Sequence, residues 1–159
     1  MKKFLICTIV TLFTLLAYIT VGQTADKVYT EDDVAVIARV VFAESRGEDI
    51  EGMRAVAEVV FNRLESGLYG DTLKHITRRS QFCKATVKTV TKKKNAAKYA
   101  ECVDAVMYAI DNRALPSNTY YFQRADRKHW AGRKQIMRYV RIGKHTFYTL
   151  GEAVEVMSK

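Results

Sequence analysis

The sequence predicts an α+β domain that is mainly helical and ends in a small antiparallel β-sheet. Two observations support this fold class. Between residues 30 and 112, apolar residues recur at intervals of three and four, the spacing that lines one face of a helix. From residue 119 onward, the chain instead carries short runs rich in tyrosine, phenylalanine, threonine and valine, which favour strands. Because no repeat or proline- and glycine-rich linker divides the chain, we expect one domain.

The first predicted helix begins at Thr30. Thr30 and Asp33 have the spacing of a capping box, with aspartate in place of the usual glutamate. An apolar stripe marks the buried face: Val34, Ile37 and Val41. We expect Gly47 to break this helix and a second helix to run from about Asp49 to Ser66. The buried side of the second helix is marked by Met53, Val56, Val60 and Leu64.

Beyond the second helix, short helical turns are expected over residues 71–79, followed by a long helix from about Lys94 to Asn112. Residues 116–118, which read Pro-Ser-Asn, predict a turn. Residues 119–122 are β-prone, and residues 139–148 have the pattern of a hairpin that turns near Gly143 and Lys144. The small sheet is therefore expected to close the domain.

Residues 1–25 have the pattern of an export signal. Lys2 and Lys3 precede an uncharged, mostly apolar run over residues 4–21. This run is longer than a usual signal core and close to the lower limit for a membrane span, so it predicts either a signal peptide or an N-terminal membrane anchor. Its moderate polarity favours cleavage. Residues 26–159 are then the exported domain, in the periplasm, the cell wall or the medium.

The chain is basic, with a net charge of +9 at pH 7. Positive residues cluster over residues 84–98 and 124–144, and such surfaces attract polyanions. Nucleic acid is the usual partner of a basic protein, but an exported protein meets anionic wall polymers and membrane headgroups instead. We therefore expect no nucleic acid partner. The lysines at residues 92–94 either contribute to this binding surface or are simply a solvated helix start or loop. We expect the protein to be a monomer.

Glu44 lies where the stripe of the first helix should receive another apolar side chain. Burial and the negative end of the helix dipole both raise the pKa of a carboxyl group at such a position. An acid that stays protonated near neutral pH can protonate a glycosidic oxygen as it leaves. Glu44 is therefore the candidate general acid; the alternative is a helix-end residue paired with Arg46 or a nearby lysine.

Several segments resemble one protein family. They are residues 37–48 (IARVVFAESRGE), residues 51–52 (EG), residues 55–63 (AVAEVVFNR), Ser80-Gln81-Phe82, Tyr120-Tyr121 and residues 142–148 (IGKHTFY). In this order they are similar to the catalytic core of the spore cortex-lytic, SleB-type cell wall hydrolases. Two features depart from that family: Phe122-Gln123-Arg124-Ala125 replaces an Asn-Pro turn, and no separate peptidoglycan-binding repeat is present, so we expect targeting by this domain or by another protein.

The resemblance implies a lysozyme-like, lytic-transglycosylase-like fold and cleavage of the bond between N-acetylmuramic acid and N-acetylglucosamine in peptidoglycan. It implies that Glu44 is catalytic. We expect no cofactor. The resemblance also offers a mechanism with one glutamate, in which the C6 hydroxyl of the substrate attacks and leaves a 1,6-anhydromuramic end. A muramidase that adds water, and a wall-binding module without activity, are the alternatives.

A hydrolase would need a second carboxylate, and Glu48 is the candidate. The favoured alternative is that Glu48 serves only as an acidic residue at the beginning of the second helix. The candidate substrate-binding residues are Tyr120, Tyr121, Gln81, Phe82, His145 and Glu48, with Trp130 as a further groove aromatic. Neighbouring residues on a strand point to opposite sides, so we expect only one of the two tyrosines to face sugar. Asn62 and Arg63 are candidates for orienting the loop that follows Glu44. The alternative for Arg63 is a favourable charge at the C-terminus of the second helix.

The histidines and cysteines predict no separate chemistry. His75, His129 and His145 lack metal-ligand spacing, so no metal is expected, and a satisfied polar role is favoured for His145. Cys83 and Cys102 permit one disulfide in an exported domain. Cys102 lies beside an apolar helical stripe, which favours a plain buried thiol.

Overall fold

The computed structural model describes residues 28–127 and 135–151. The described residues form five helices followed by three strands. They are α1 (Glu31–Ser45), α2 (Ile50–Ser66), α3 (Leu73–Ile76), α4 (Val87–Val90), α5 (Lys93–Asp111), β1 (Thr119–Arg124), β2 (Ile136–Ile142) and β3 (His145–Leu150). The α+β class and the order of helices and strands are confirmed. The predictions for residues 1–25, His129 and Trp130 lie outside these ranges, and no helix within them could span a membrane.

The predicted capping box begins α1. The Asp33 N–H donates to Thr30 Oγ1 at 3.2 Å, and the Thr30 N–H donates to Asp33 Oδ2 at 3.0 Å. The helix ends at Ser45, and Gly47 follows without adopting a positive φ. Gly47 therefore does not break the helix through a left-handed conformation. That conformation ends α2, where Gly67 has φ of 68° and caps the helix after Ser66.

The central element is α2, which packs against α1, α5 and β1. Its predicted apolar stripe is buried: Met53, Val56, Val60 and Leu64. Three polar side chains of α2 are buried as well: Glu58, Asn62 and Arg63. Asn62 donates to the carbonyl oxygens of Pro116 (2.9 Å) and Thr119 (3.1 Å), which joins α2 to the beginning of the sheet.

The three strands are antiparallel in the order β1-β3-β2. The hairpin of β2 and β3 turns at Gly143, which has φ of 56°, as the sequence predicts. The last strand lies in the centre and is almost wholly buried, whereas β2 is mostly exposed. A register shift between Thr119 and Tyr121 interrupts the pairing of β1 with β3.

Candidate active site

Glu44 lies in the last turn of α1, half-buried at the C-terminal end of the apolar stripe. Its Oε1 accepts a hydrogen bond from the backbone N–H of Cys83 at 2.6 Å. Burial raises the pKa of the Glu44 carboxyl above its ordinary value, while the Cys83 hydrogen bond and the charge of Arg63 partly offset that effect. Glu44 therefore has the environment of a carboxylic acid that retains its proton at higher pH than an exposed glutamate.

Arg63 is 8% exposed and lies inside an aromatic cage. Its guanidinium carbon is 4.4 Å from the ring centre of Phe82, 4.8 Å from that of Tyr69 and 5.7 Å from that of Tyr121. Its Nε donates to the carbonyl oxygen of Tyr120 at 2.8 Å. Arg63 is thus part of the tertiary core of the site and not a solvent-exposed helix C-terminal charge.

Tyr120 and Tyr121 both pack on Tyr69. The ring centres are 5.4 Å apart for Tyr69 and Tyr120 and 6.1 Å apart for Tyr69 and Tyr121. The hydroxyl groups of Tyr69 and Tyr121 lie 2.7 Å apart. Because the register shift interrupts regular strand alternation at this point, the two neighbouring tyrosines reach one side chain. Which of them contacts sugar stays a prediction.

Gln81 and Phe82 contact Arg63 and directly precede Cys83, whose N–H donates to Glu44. The Gln81 amide nitrogen donates to the Tyr69 carbonyl oxygen at 3.0 Å, and its oxygen accepts from Arg63 at 3.5 Å. Phe82 is 3% exposed and its ring stacks at 6.3 Å on that of Phe122. Burial leaves Phe82 little surface for a sugar, so its contribution is to the floor beneath the site. Sugar binding by Gln81 stays a prediction.

Glu48 and His145 lie under the β2–β3 turn. Glu48 Oε2 accepts from the Lys144 N–H at 2.8 Å, and His145 Nδ1 is 3.8 Å from Glu48 Oε1. Both side chains are almost completely buried. Burial lowers the pKa of His145 and so favours its neutral form. The favoured role of His145 as a satisfied polar residue is wrong for Nδ1, because this atom is buried and has no hydrogen-bond partner among the described residues. Both residues pack the hairpin onto the helices, and substrate binding by either stays a prediction.

Cys83 and Cys102, the cysteines among the described residues, are free thiols. Cys102 is buried and directs its Sγ toward Met53 Sδ at 3.5 Å, whereas Cys83 is exposed. The possible disulfide does not form, and the favoured buried thiol at Cys102 is confirmed. No cluster of metal-binding side chains occurs among residues 28–127 and 135–151, and His75 pairs with Asp71 at 2.9 Å.

Sequence reasoning missed two parts of the site. One is the N–H of Cys83, a backbone group that no motif reveals. The other is Tyr69, which joins Arg63 to both tyrosines and helps line a cleft of about 350 Å³ together with Leu68, Gly70, His75, Arg78 and Gln81. The only signal for Tyr69 is its position between Gly67 and Gly70, both of which have positive φ.

A half-buried carboxylic acid with a raised pKa, next to an aromatic cluster, is the kind of group that can act as a general acid. Residues 47–148 match the family model described as Cell Wall Hydrolase. The chain belongs to this family of cell wall hydrolases. The matched residues begin at Gly47, three positions after Glu44.

Curated relatives extend the comparison. A spore cortex-lytic enzyme of Bacillus cereus is 30% identical over 132 residues, which make up 79% of this chain and 48% of that protein. The spore cortex-lytic enzyme of Oceanobacillus iheyensis is 47% identical over 45 residues, or 28% of this chain and 16% of that protein. The chain thus spans about half or less of the length of these relatives.

Two solved structures have similar folds. The catalytic domain of the Bacillus cereus SleB protein is 27% identical with a TM-score of 0.59, covering 80% of this chain and 99% of that domain. The catalytic domain of the germination-specific lytic transglycosylase SleB from Bacillus anthracis is 27% identical with a TM-score of 0.57, covering 77% of this chain and 98% of that domain. The described fold therefore corresponds to a whole catalytic domain of this kind.

Proposed function

We propose that this protein degrades peptidoglycan by cleaving the glycosidic bond between N-acetylmuramic acid and N-acetylglucosamine, with Glu44 as the catalytic residue. The observation that carries the proposal is the half-buried Glu44 carboxyl, whose pKa is raised by burial, held by the Cys83 N–H. Similarity over nearly the full length of a lytic transglycosylase catalytic domain supports the same reaction. Because those relatives act on cell wall or cortex, we also propose action outside the cytoplasm.

The reaction proceeds in two steps at one glutamate. Protonated Glu44 first gives its proton to the glycosidic oxygen as the bond to the anomeric carbon breaks. The Glu44 carboxylate then takes the proton of the substrate's own C6 hydroxyl, and that oxygen bonds to the anomeric carbon. The products are one free hydroxyl end and one 1,6-anhydromuramic end, and Glu44 is protonated again.

The position of Glu48 favours this one-glutamate scheme over addition of water. A hydrolase needs a second carboxylate that is available to activate water or to attack the sugar. Glu48, the candidate from the sequence, already accepts the Lys144 N–H and is almost completely buried. It holds the hairpin, so we assign it no part in the chemical step.

Analysis of reaction products tests the proposal. Purified peptidoglycan is digested with the wild type and with Glu44→Gln, and the soluble fragments are identified by mass spectrometry. We expect anhydromuropeptides from the wild type alone. Reducing-end muropeptides would instead establish a muramidase. Absence of fragments, with peptidoglycan binding retained, would overturn the catalytic proposal in favour of a wall-binding module.

The beginning of α5 supports a further part of the proposal, an electrostatic attraction to the wall. Lys92, Lys93 and Lys94 are exposed there, with no acidic residue in the first turn and no side-chain cap. Positive charge opposes the helix dipole at this end, so these lysines do not serve helix stability. We propose that they attract anionic groups of the wall, such as peptide-stem carboxylates and wall polymers.

A further inference from the structure

Arg63 is a buried cation without a carboxylate partner. None of the ion pairs within residues 28–127 and 135–151 includes it. Burying a charge without compensation is costly. Here the compensation comes from the faces of three aromatic rings and from the Tyr120 carbonyl oxygen. Its positive charge is therefore not neutralised locally and can act on other groups of the site.

Glu44 is the acidic side chain on which this charge acts. Burial lowers the pKa of Arg63, and the charges of Tyr69, Tyr121 and Glu44 partly offset that effect. The same interaction between Arg63 and Glu44 favours the ionised form of Glu44 against the effect of burial. The other groups that act on Glu44 are the N–H and the thiol of Cys83. On α1 itself, the nearby cation is Arg46, whose guanidinium carbon lies 5.3 Å from the ring centre of Phe42. Arg63 thus provides the buried positive charge that α2 brings to the acid.

Arg63 is also linked to Glu44 through the contacts of residues 81–83. Its NH1 group contacts the Gln81 amide oxygen at 3.5 Å, and its guanidinium lies over Phe82. Cys83 comes next in the chain and donates its N–H to Glu44. One side chain therefore supports residues 81–83, the segment that carries the hydrogen-bond donor for the acid.

We propose that Arg63 is a positioning residue of the active site: it holds residues 81–83 against Glu44 and stabilises the Glu44 carboxylate after proton release. This inference rests on the proposed role of Glu44 as acid and then base. Burial alone favours the protonated form, which suits only the first step. A buried cation at Arg63 makes the carboxylate accessible for the second step, in which Glu44 takes a proton.

The test measures the pKa of Glu44 directly, by NMR titration of ¹³C-labelled glutamate carboxyl groups assigned with Glu44→Gln. Arg63→Met keeps an apolar chain among the rings and removes the charge, and Arg63→Lys keeps the charge without the planar fork. Arg113→Met is the matched control, because Arg113 also lies over a ring, that of Phe61 at 4.3 Å, but pairs with Glu65.

We expect Arg63→Met to raise the pKa of Glu44 and to move the alkaline limb of kcat/KM to higher pH. Arg63→Lys should retain the wild-type pKa but lower kcat about tenfold or more through misplacement of the Cys83 N–H. Arg113→Met should leave the pKa of Glu44 and kcat unchanged. An unchanged Glu44 pKa in folded Arg63→Met would overturn the electrostatic role.

The amide proton resonance of Cys83 gives a readout of position that requires no activity. In the wild type it should follow the titration of Glu44, because the N–H is bonded to the titrating carboxylate. In Arg63→Lys, we expect this response to weaken. If Arg63→Met does not fold, a wild-type Cys83 response and kcat in Arg63→Lys would overturn the positioning role. An inactive wild type that shows the predicted shifts would refute the proposed function alone.

Discussion

The backbone N–H of Cys83 donates to Oε1 of Glu44 over 2.6 Å, although the two residues are 39 positions apart in the chain. This contact joins the last turn of α1 to the segment before α4. The hydrogen bond stabilises the carboxylate form of Glu44, whereas burial stabilises the protonated form. The balance of the two sets the pH range in which Glu44 can act.

The pH dependence of cleavage should report this balance. A general acid works in its protonated form, so kcat/KM should fall as pH rises through the pKa of Glu44. Because burial raises that pKa, the fall should lie above the range of an exposed carboxyl group. Initial rates of cleavage of purified peptidoglycan, at a series of pH values and constant ionic strength, measure this pH dependence. A fall at the ordinary pKa of glutamate would contradict the assignment of Glu44 as the acid.

The thiol of Cys83 should respond to the same contact. The charge of Glu44 raises the pKa of this exposed thiol, which slows alkylation because the thiolate is the reactive form. Glu44→Gln removes the charge and should therefore speed the reaction of Cys83 with iodoacetamide at a pH above the pKa of Glu44, where the wild-type carboxylate is ionised. Peptide mapping by mass spectrometry follows the rate, with buried Cys102 as the slow internal reference. Equal rates in both proteins would show that the two side chains do not interact.

Glu58 should matter for stability. Its Oε2 accepts the N–H groups of Ala114 at 2.8 Å and Leu115 at 2.6 Å. Glu58→Ala leaves both donors without this acceptor and should lower the free energy of unfolding by about 2 to 4 kcal/mol. Glu58→Gln keeps an acceptor oxygen and should lose clearly less. Urea unfolding measures both variants, and an equal loss would argue against the hydrogen bonds as the cause.

The ionisation of Glu58 should also make stability depend on pH. Burial raises its folded-state pKa above that of the unfolded chain. The associated stability is fully present below the unfolded pKa and is lost as pH rises through the folded pKa. Glu58→Gln should remove this part of the decline. Urea unfolding at a series of pH values would contradict the prediction if the two proteins had parallel profiles.

Gly143 should be difficult to replace because of Glu48. Gly143 has φ of 56°, and a Cβ atom there would collide with Glu48 Oε2. Gly143→Ala should therefore lower the free energy of unfolding by about 2 kcal/mol. Gly47→Ala is the matched control, because a Cβ atom at Gly47 has no atom within 4 Å. Thermal unfolding compares them, and equal melting temperatures would refute the steric argument.

The lysines at the beginning of α5 should affect stability and wall binding in opposite directions. Replacing Lys92, Lys93 and Lys94 with glutamine removes charges that oppose the helix dipole, so stability should rise by about 1 kcal/mol. Binding to peptidoglycan should weaken at low salt. At about 1 M salt, where screening limits charge interactions to about 3 Å, the two proteins should bind alike. Sedimentation with insoluble peptidoglycan measures this, and equal low-salt binding would contradict a role for these lysines.

Much of the helical framework could be predicted from the sequence because its signals are local. The hydrogen bonds of a capping box join residues three positions apart, and an apolar stripe recurs every three or four residues. Thr30, the stripe that ends at Glu44 and the stop at Gly67 could therefore be found without knowledge of the fold. The hairpin turn at Gly143 belongs to the same class of signal.

The environment of the site was decided by tertiary packing. The chain alone does not reveal that Glu48 is held by the Lys144 N–H, 96 positions away, or that Arg63 is enclosed by rings from three other segments. It also does not reveal that β3 inserts between β1 and β2. Helix periodicity depends only on near neighbours, so the residues of α1 alone indicate which carboxylate lies at the end of a buried helical face. The pKa of Glu44 depends on burial, on the N–H donor of Cys83 and on the charge of Arg63. These groups are distant in the chain, and only the folded structure brings them next to the carboxyl group.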